Sequence, residues 1–178
     1  MSEQRNGARA VLWDVDGTLI DSREYHWLSW QGALAAENFP VTREQFERTF
    51  GRRNEEILGA YFPDYDAQAI ARVGEAKEVA YRELVRAGGI ELLPGVRAWL
   101  ERLREAGWRQ ALASSAPRLN LDAIVSALGI EEFFEAIASA EKGGASAYPD
   151  AMNSLGYLYA KQPYFRSRSL DAEIHHSG

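Results

Sequence analysis

Short apolar runs alternate with amphipathic stretches along much of this chain. The run over 10–13 is continuously apolar, which predicts a strand covered on both faces, as in a parallel sheet. The segments 109–113 and 136–138 predict two further strands. Apolar residues at helical spacing predict helices over 94–107 and 119–128, each closed by a glycine. Strands that alternate with helices predict an α/β fold with a doubly wound parallel sheet.

Helical patterns fill the long interval between the first two predicted strands. We expect helices over 23–37, 54–62 and 66–87, with a further helix starting after Thr42. The glutamine three residues beyond Thr42 completes a capping-box pattern, which is typical of a helix N-terminus. Residues 23–89 are therefore predicted to be a block of helices inserted after the first strand.

This pattern divides the chain into three parts. We expect residues 1–22 and 90–150 to form the α/β core, and residues 23–89 to form a helical cap. The remaining residues, 151–178, contain no run of four aliphatic residues and are expected to be an atypical tail, with disorder as one interpretation. The strand that would continue the sheet is not recognisable after residue 142.

Composition limits the classes of function. The 178 residues are 46% hydrophobic, which suits a packed core, and the formal net charge of −6 argues against a nucleic-acid surface. Cysteine is absent, which excludes disulfides and thiolate chemistry. The polar first nine residues do not resemble a signal peptide, and no apolar run approaches a membrane span. We expect a cytoplasmic monomer without a nucleic-acid or membrane partner.

Candidate chemistry follows two of the predicted strands. Asp14 and Asp16 come directly after the first strand, and Ser114 and Ser115 come after the second. In an open α/β sheet the ligand site lies beyond the carboxyl ends of the strands, so these residues should share one crevice. A carboxylate nucleophile, a second carboxyl group for proton transfer and hydroxyls for phosphate oxygens would together suit phosphoryl transfer.

Simpler interpretations exist for the same residues. Aspartates are common in turns, where they bond nearby backbone groups. Ser114 could be the N-cap of the helix that follows it. The aromatic residues of the helical block, such as Trp30 and Phe46, are most simply explained as cap core.

The acidic segment Asp14-Val15-Asp16-Gly17-Thr18-Leu19-Ile20-Asp21-Ser22 resembles the first motif of the haloacid dehalogenase-like superfamily. Ser114, at the end of Ala111-Leu112-Ala113-Ser114-Ser115, resembles its second motif. A helical insert directly after the first motif resembles the small cap of that superfamily. Cap segments, 23–26 and 51–54, further resemble its β-phosphoglucomutase-like phosphatase branch.

The resemblance implies a Mg²⁺-dependent phosphatase of small phosphorylated metabolites, most simply sugar phosphates. Asp14 would be the nucleophile and a Mg²⁺ ligand. Asp16 would be the general acid and base, and its backbone carbonyl would also bind Mg²⁺. The resemblance also assigns phosphate contacts and cap residues. The phosphate contacts would be Thr18, Ser114, Ser115 and Lys142, and the cap would contribute His26 at the hinge with Gly51, Arg52 and Asn54 facing the crevice.

The chain departs from this pattern near its C-terminal end. Where the third motif carries a lysine before Pro149 and Asp150, this chain has Ser146, and Lys142 is the nearest cation. The fourth motif, a strand followed by paired acids, is not recognisable. Two alternatives therefore remain: a phosphomutase similar to β-phosphoglucomutase, or a non-catalytic product of a truncated or frame-shifted reading frame.

Overall fold

A computed structural model describes residues 9–139. Its described strands are β1 (Ala10–Trp13), β2 (Arg109–Ala113) and β3 (Ala136–Ala138), and they form a parallel sheet in the order β1-β2-β3. Trp13 pairs with Leu112, and Ala113 pairs with Ala138. The predicted α/β class and the bounds of all three strands are confirmed.

Six α-helices lie in the described part of the chain. They are α1 (Arg23–Ala36), α2 (Arg43–Thr49), α3 (Asn54–Tyr61), α4 (Ala67–Arg86), α5 (Val96–Glu105) and α6 (Arg118–Leu128), with a 3₁₀ turn at Glu131–Phe133. Each begins within two residues of its predicted start, and the five helices with a predicted end also finish within two residues of it. None of these helices combines the length and the apolar character that crossing a bilayer requires.

Helices α1 to α4 form the cap. The Thr42 side chain accepts the N–H of Gln45, and the Gln45 side chain accepts the N–H of Thr42, so the predicted capping box starts α2. Asp66 caps α4 by accepting the N–H of Ala69 at 2.8 Å. A cluster of buried side chains joins the four helices: Trp30, Leu34, Val41, Phe46, Ile57, Leu58 and Val73. The aromatic residues of the block therefore belong to an apolar core, as predicted.

A second apolar cluster joins the sheet to the helices of the core, and most of its side chains are aliphatic. It contains Leu19 and Ile20 from the acidic loop, Leu100 from α5 and Leu112 from β2. Helix α4 contributes to both clusters, since Val73 near its start packs in the cap and Tyr81 and Val85 near its end pack in the core. The predicted domain bounds at 22 and 89 stay a prediction.

The two connections between cap and core lie side by side. Ile20, in the first connection, forms an antiparallel bridge with Leu92 in the second. The backbone N–H of Leu93 donates to the carbonyl of Leu19 at 2.8 Å. The cap is therefore joined to the core by two adjacent segments that bond to each other.

One sequence expectation is not met within the described residues. Strand β1 has a single neighbour there, β2, and Leu12 is 40% exposed. Within residues 9–139, the prediction that both faces of β1 are covered is therefore not met at Leu12. The predictions for Lys142, for the end of the core at 150 and for the tail lie outside the described residues.

Candidate active site

The acidic loop turns sharply just beyond the end of β1. Gly17 has φ +76°, a left-handed conformation that costs a side-chain-bearing residue free energy. Beyond it, the N–H groups of Thr18 and Leu19 both donate to the carbonyl of Val15, at 3.2 and 2.9 Å. Leu19 of this loop is fully buried in the apolar core, whereas Asp14 and Thr18 are exposed. The Asp14 carboxylate therefore lies exposed at the carboxyl end of β1.

Ser114 lies at the same edge of the sheet. Since Trp13 and Leu112 are paired in parallel strands, Asp14 and Ser114 both follow the carboxyl ends of adjacent strands. Ser114 is 4% exposed, its N–H donates to the carbonyl of Ala138, and its Oγ accepts the N–H of Ala116 at 3.1 Å. The N-cap of α6 is Pro117, so the alternative in which Ser114 caps this helix is wrong.

Asp16 is held by Ser22, the N-cap residue of α1, and by His26 of α1. The Ser22 hydroxyl donates to Asp16 Oδ1, and Nε2 of His26 lies 3.7 Å from the same oxygen. Burial raises the pKa of Asp16, but the contacts with His26 and Ser22 and the charge of Lys77 outweigh burial, so the pKa lies below its ordinary value. In this arrangement Asp16 is a carboxylate at neutral pH.

His26 has ring contacts with Tyr81 and Phe50 and a third contact at its far nitrogen. Its ring stacks on Tyr81 with centroids 4.5 Å apart, and its edge meets Phe50 at 5.9 Å. Nζ of Lys77 lies 3.2 Å from Nδ1 of His26. Because an ammonium group can only donate, Nδ1 is the acceptor, and Nε2 carries the proton that faces Asp16.

Behind His26 lies a group of side chains that we call the cap–core polar cluster: Asn54, Lys77, Glu78, Arg82 and Asn120. Lys77 and Glu78 are 2% and 6% exposed, and Lys77 Nζ donates to Glu78 Oε1 at 3.0 Å. Burial lowers the pKa of Lys77. Burial raises the pKa of Glu78. The charge of Lys77 and the hydrogen bonds from Asn54 and Asn120 together outweigh burial, so the pKa of Glu78 lies below its ordinary value.

Sequence reasoning missed this cluster. A signal was present in α4, where Val73, Lys77, Tyr81 and Val85 occupy one stripe at four-residue spacing. Three of these residues are apolar or aromatic and buried, so a lysine at the fourth position is a charge on a core-facing stripe. Its partners could not be found in the same way, because Asn54 and Asn120 lie 24 and 42 residues from Glu78 along the chain.

The cap residues predicted to face the crevice have different surroundings. Gly51 has φ +86° and is exposed, and the neighbouring Arg52 is exposed as well. Asn54 is half-buried at the start of α3, and its Nδ2 donates to Glu78 Oε1 at 2.7 Å. Their contact with a substrate stays a prediction, as do the phosphate contacts of Thr18, Ser114 and Ser115.

The acidic loop offers oxygen atoms to a metal ion. Mg²⁺ prefers oxygen ligands and commonly uses one or two carboxylates together with waters and substrate phosphate. The exposed carboxylate of Asp14 and the nearby backbone carbonyl of Asp16 fit that donor set. Within residues 9–139 no group of three or more His, Asp or Glu side chains is arranged to hold a metal ion.

Known proteins resemble this chain over most of its length. The model of the haloacid dehalogenase-like hydrolase family matches residues 8–160. Protein CbbY of Rhodobacter capsulatus is 30% identical, over 83% of this chain and 72% of that protein. β-Phosphoglucomutase of Bacillus subtilis (strain 168) is 29% identical, over 72% of this chain and 59% of the relative, so this chain spans little more than half of that protein.

A solved structure shares the fold. The crystal structure of CbbY from Rhodobacter sphaeroides in complex with xylulose-(1,5)bisphosphate superposes with a TM-score of 0.74 at 24% identity, covering 83% of this chain and 72% of that one. This agreement supports an α/β core with a helical cap. The match of the family model across residues 8–160 shows that the chain belongs to the haloacid dehalogenase-like hydrolase family.

Proposed function

We propose that the chain is a Mg²⁺-dependent phosphatase of small phosphorylated metabolites, acting through an aspartyl-phosphate on Asp14. The observation that carries this proposal is the placement of the exposed Asp14 carboxylate at the sheet edge where Ser114 also lies, with Asp16 held two residues further on. Membership of a hydrolase family supports water as the final acceptor of the phosphoryl group.

The chemistry assigns two steps to the two aspartates. In the first step a carboxylate oxygen of Asp14 bonds to phosphorus, the bond from phosphorus to the leaving oxygen breaks, and protonated Asp16 gives that oxygen its proton. In the second step Asp16, now a carboxylate, takes a proton from water as the water oxygen bonds to phosphorus. The Asp14–phosphorus bond then breaks, and inorganic phosphate leaves.

The ionisation of Asp16 decides which of these steps the observed arrangement suits. The contacts that lower the pKa of Asp16 favour the carboxylate, which is the form needed for the second step. The first step needs a proton on Asp16.

The remaining site residues would bind the phosphoryl group. Mg²⁺, bound by Asp14 and by the backbone carbonyl of Asp16, would neutralise charge on the phosphate oxygens. The hydroxyl groups of Thr18, Ser114 and Ser115 would donate hydrogen bonds to the same oxygens, with Lys142 as the predicted cation. Gly51, Arg52 and Asn54 of the cap would select the organic part of the substrate.

A phosphomutase is the second candidate, because the relative from Bacillus subtilis carries the name β-phosphoglucomutase. That name also favours a sugar phosphate as the substrate class. The two candidates differ in the acceptor of the phosphoryl group, which is water in a phosphatase and a sugar hydroxyl in a mutase. Incubation with β-glucose 1-phosphate distinguishes them, since a phosphatase releases inorganic phosphate and a mutase forms glucose 6-phosphate.

The test of the proposal is hydrolysis of p-nitrophenyl phosphate by the full chain with Mg²⁺, compared with Asp14→Asn. An amide at this position cannot attack phosphorus, so kcat/KM should fall by about 10⁴-fold or more, to the background rate. Removal of Mg²⁺ with a chelator should lower the wild-type rate in the same direction.

Asp21→Asn is the matched control for this experiment. Asp21 lies in the same loop, is exposed, and accepts the N–H of Arg23 at 3.1 Å. This variant should retain the wild-type rate. Equal rates for wild type and Asp14→Asn would reject a phosphatase and leave the non-catalytic interpretation.

A further inference from the structure

The cap–core polar cluster centres on one carboxylate, Glu78, which receives hydrogen bonds from three helices. Asn54 at the start of α3 donates at 2.7 Å, Lys77 of α4 donates at 3.0 Å, and Asn120 of α6 donates at 2.6 Å. Helices α3 and α4 belong to the cap, whereas α6 belongs to the core. Glu78 therefore bonds the cap and the core to the same side chain.

The core partner is held in a defined orientation. Arg82 Nη1 donates to Asn120 Oδ1 at 3.2 Å, and Asn120 Nδ2 donates to Glu78 Oε2. Since arginine can only donate and the Glu78 carboxylate can only accept, this pair of contacts fixes the Asn120 amide in one orientation. Asn120 lies in the first turn of α6, six residues beyond Ser114, so the cluster reaches the segment that follows the β2 strand end.

From Glu78 the contacts continue in the other direction to the acidic loop. Lys77 donates to Glu78 and lies 3.2 Å from His26, and His26 in turn faces Asp16 at 3.7 Å. A buried carboxylate carries a desolvation cost that an apolar side chain of similar size would avoid. Glu78 supplies the counter-charge that keeps the Lys77 ammonium in place among Trp30 and Tyr81.

We propose that Glu78 is a positioning residue that aligns Asp16 through Lys77 and His26, and that its bond to Asn120 sets this alignment when α4 packs against α6. The inference rests on the proposed function, in which Asp16 protonates the leaving oxygen. Glu78 itself touches no reacting group. Its loss should therefore slow turnover selectively where the leaving oxygen needs a proton.

Two aryl phosphates with different leaving groups test this selectivity. p-Nitrophenolate is a stabilised anion that leaves with little help from an acid, whereas phenolate depends more strongly on a proton from Asp16. In the full chain with Mg²⁺, Glu78→Gln should lower kcat/KM for phenyl phosphate about tenfold more than for p-nitrophenyl phosphate. kcat/KM is the appropriate quantity, because it reports the step in which the leaving group departs.

Glu83→Gln is the matched control, since Glu83 lies on the same helix and is exposed. It should leave both values of kcat/KM unchanged. If Glu78→Gln does not fold, Asn120→Ala replaces it; this variant removes the core partner of Glu78 and leaves the Lys77–Glu78 pair, and the same selective loss is expected.

The outcomes separate this inference from the proposed function. A loss by the same factor for both substrates would show that Glu78 is only structural and would overturn the inference, as would no loss at all. If wild type hydrolyses neither substrate faster than Asp14→Asn, the proposed function fails and the inference fails with it. Activity that depends on Asp14 but shows no leaving-group selectivity in either variant rejects the inference alone.

Discussion

The strand-end site and the cap–core polar cluster place charged groups in opposite surroundings. At the strand end, Asp14 is exposed and comes from a tight local turn about Gly17. In the cluster, Lys77 and Glu78 are almost completely buried and have partners on helices distant in sequence. An exposed carboxylate retains its hydration and contributes little to folding, whereas a buried pair depends on each of its partners.

We therefore expect the strand-end site to carry the reaction and the cap–core polar cluster to position the residues around it. We expect substitutions at the strand end to lower turnover with little change in the free energy of unfolding. Substitutions in the cluster should change both quantities, because the same contacts hold the cap against α6 and fix the residues behind Asp16.

The largest effect on stability is expected for Lys77→Met. Methionine fills a similar volume but leaves the Glu78 carboxylate buried without its counter-charge, so the free energy of unfolding should fall by about 3–5 kcal/mol. Denaturant unfolding of the full chain at pH 7 measures this change. If the free energy of unfolding decreases by less than about 1 kcal/mol, the buried pair contributes no more than an exposed one, and the proposed difference between the two regions is wrong.

The double variant Lys77→Met with Glu78→Gln sharpens this test. If the two charges stabilise the fold mainly as a pair, removal of both should cost less than the sum of the two single substitutions. Additive losses would show that Glu78 is held by its two asparagine partners independently of Lys77.

At the strand end, Ser114→Ala should affect turnover more than stability. The Ser114 hydroxyl accepts one hydrogen bond, from the N–H of Ala116, and its removal should lower the free energy of unfolding by about 1 kcal/mol. Loss of a phosphate contact should lower kcat/KM for p-nitrophenyl phosphate by about 10²-fold. Ser126→Ala, at an exposed position on α6, is the control. Unchanged turnover in Ser114→Ala would remove this residue from the proposed site.

Much of the described fold follows from local patterns in the sequence. The capping box at Thr42 and the apolar runs of β2 and β3 each depend on neighbouring residues, and the structure places these elements where they are predicted. The turn after β1 is equally local, because Asp14, Asp16 and Gly17 lie within four residues of one another. The sequence therefore selects these aspartates as candidates, and their chemical roles stay a proposal.

The cap–core polar cluster could not be predicted in this way. Helix periodicity places Lys77 on the buried stripe of α4, but it does not identify Asn120 as a partner across the cap–core boundary. This partnership is set by packing between distant segments.

A third carboxylate, Glu37, lies in the cap, and the smallest change in stability is expected from loss of its partner. Glu37, at the end of α1, accepts two hydrogen bonds from Arg72 at 2.7 and 2.9 Å and one from Tyr65 at 2.8 Å. These bonds lower the pKa of Glu37 to about 2. Unlike Glu78, it is paired with a cation whose side chain is 59% exposed, so solvent screens much of the interaction.

We expect Arg72→Gln to lower the midpoint of thermal unfolding by about a degree or two at pH 7. Because the folded pKa of Glu37 lies below its unfolded value of about 4.3, the carboxylate contributes stability above that value and loses it as the pH falls towards 2. The difference between wild type and variant should thus be constant above about pH 5 and shrink below it. Arg48→Gln, which breaks a fully exposed pair with Glu44, should show no measurable difference at any pH. A difference for Arg72→Gln that grows on acidification would contradict the assignment of Glu37 as the titrating partner.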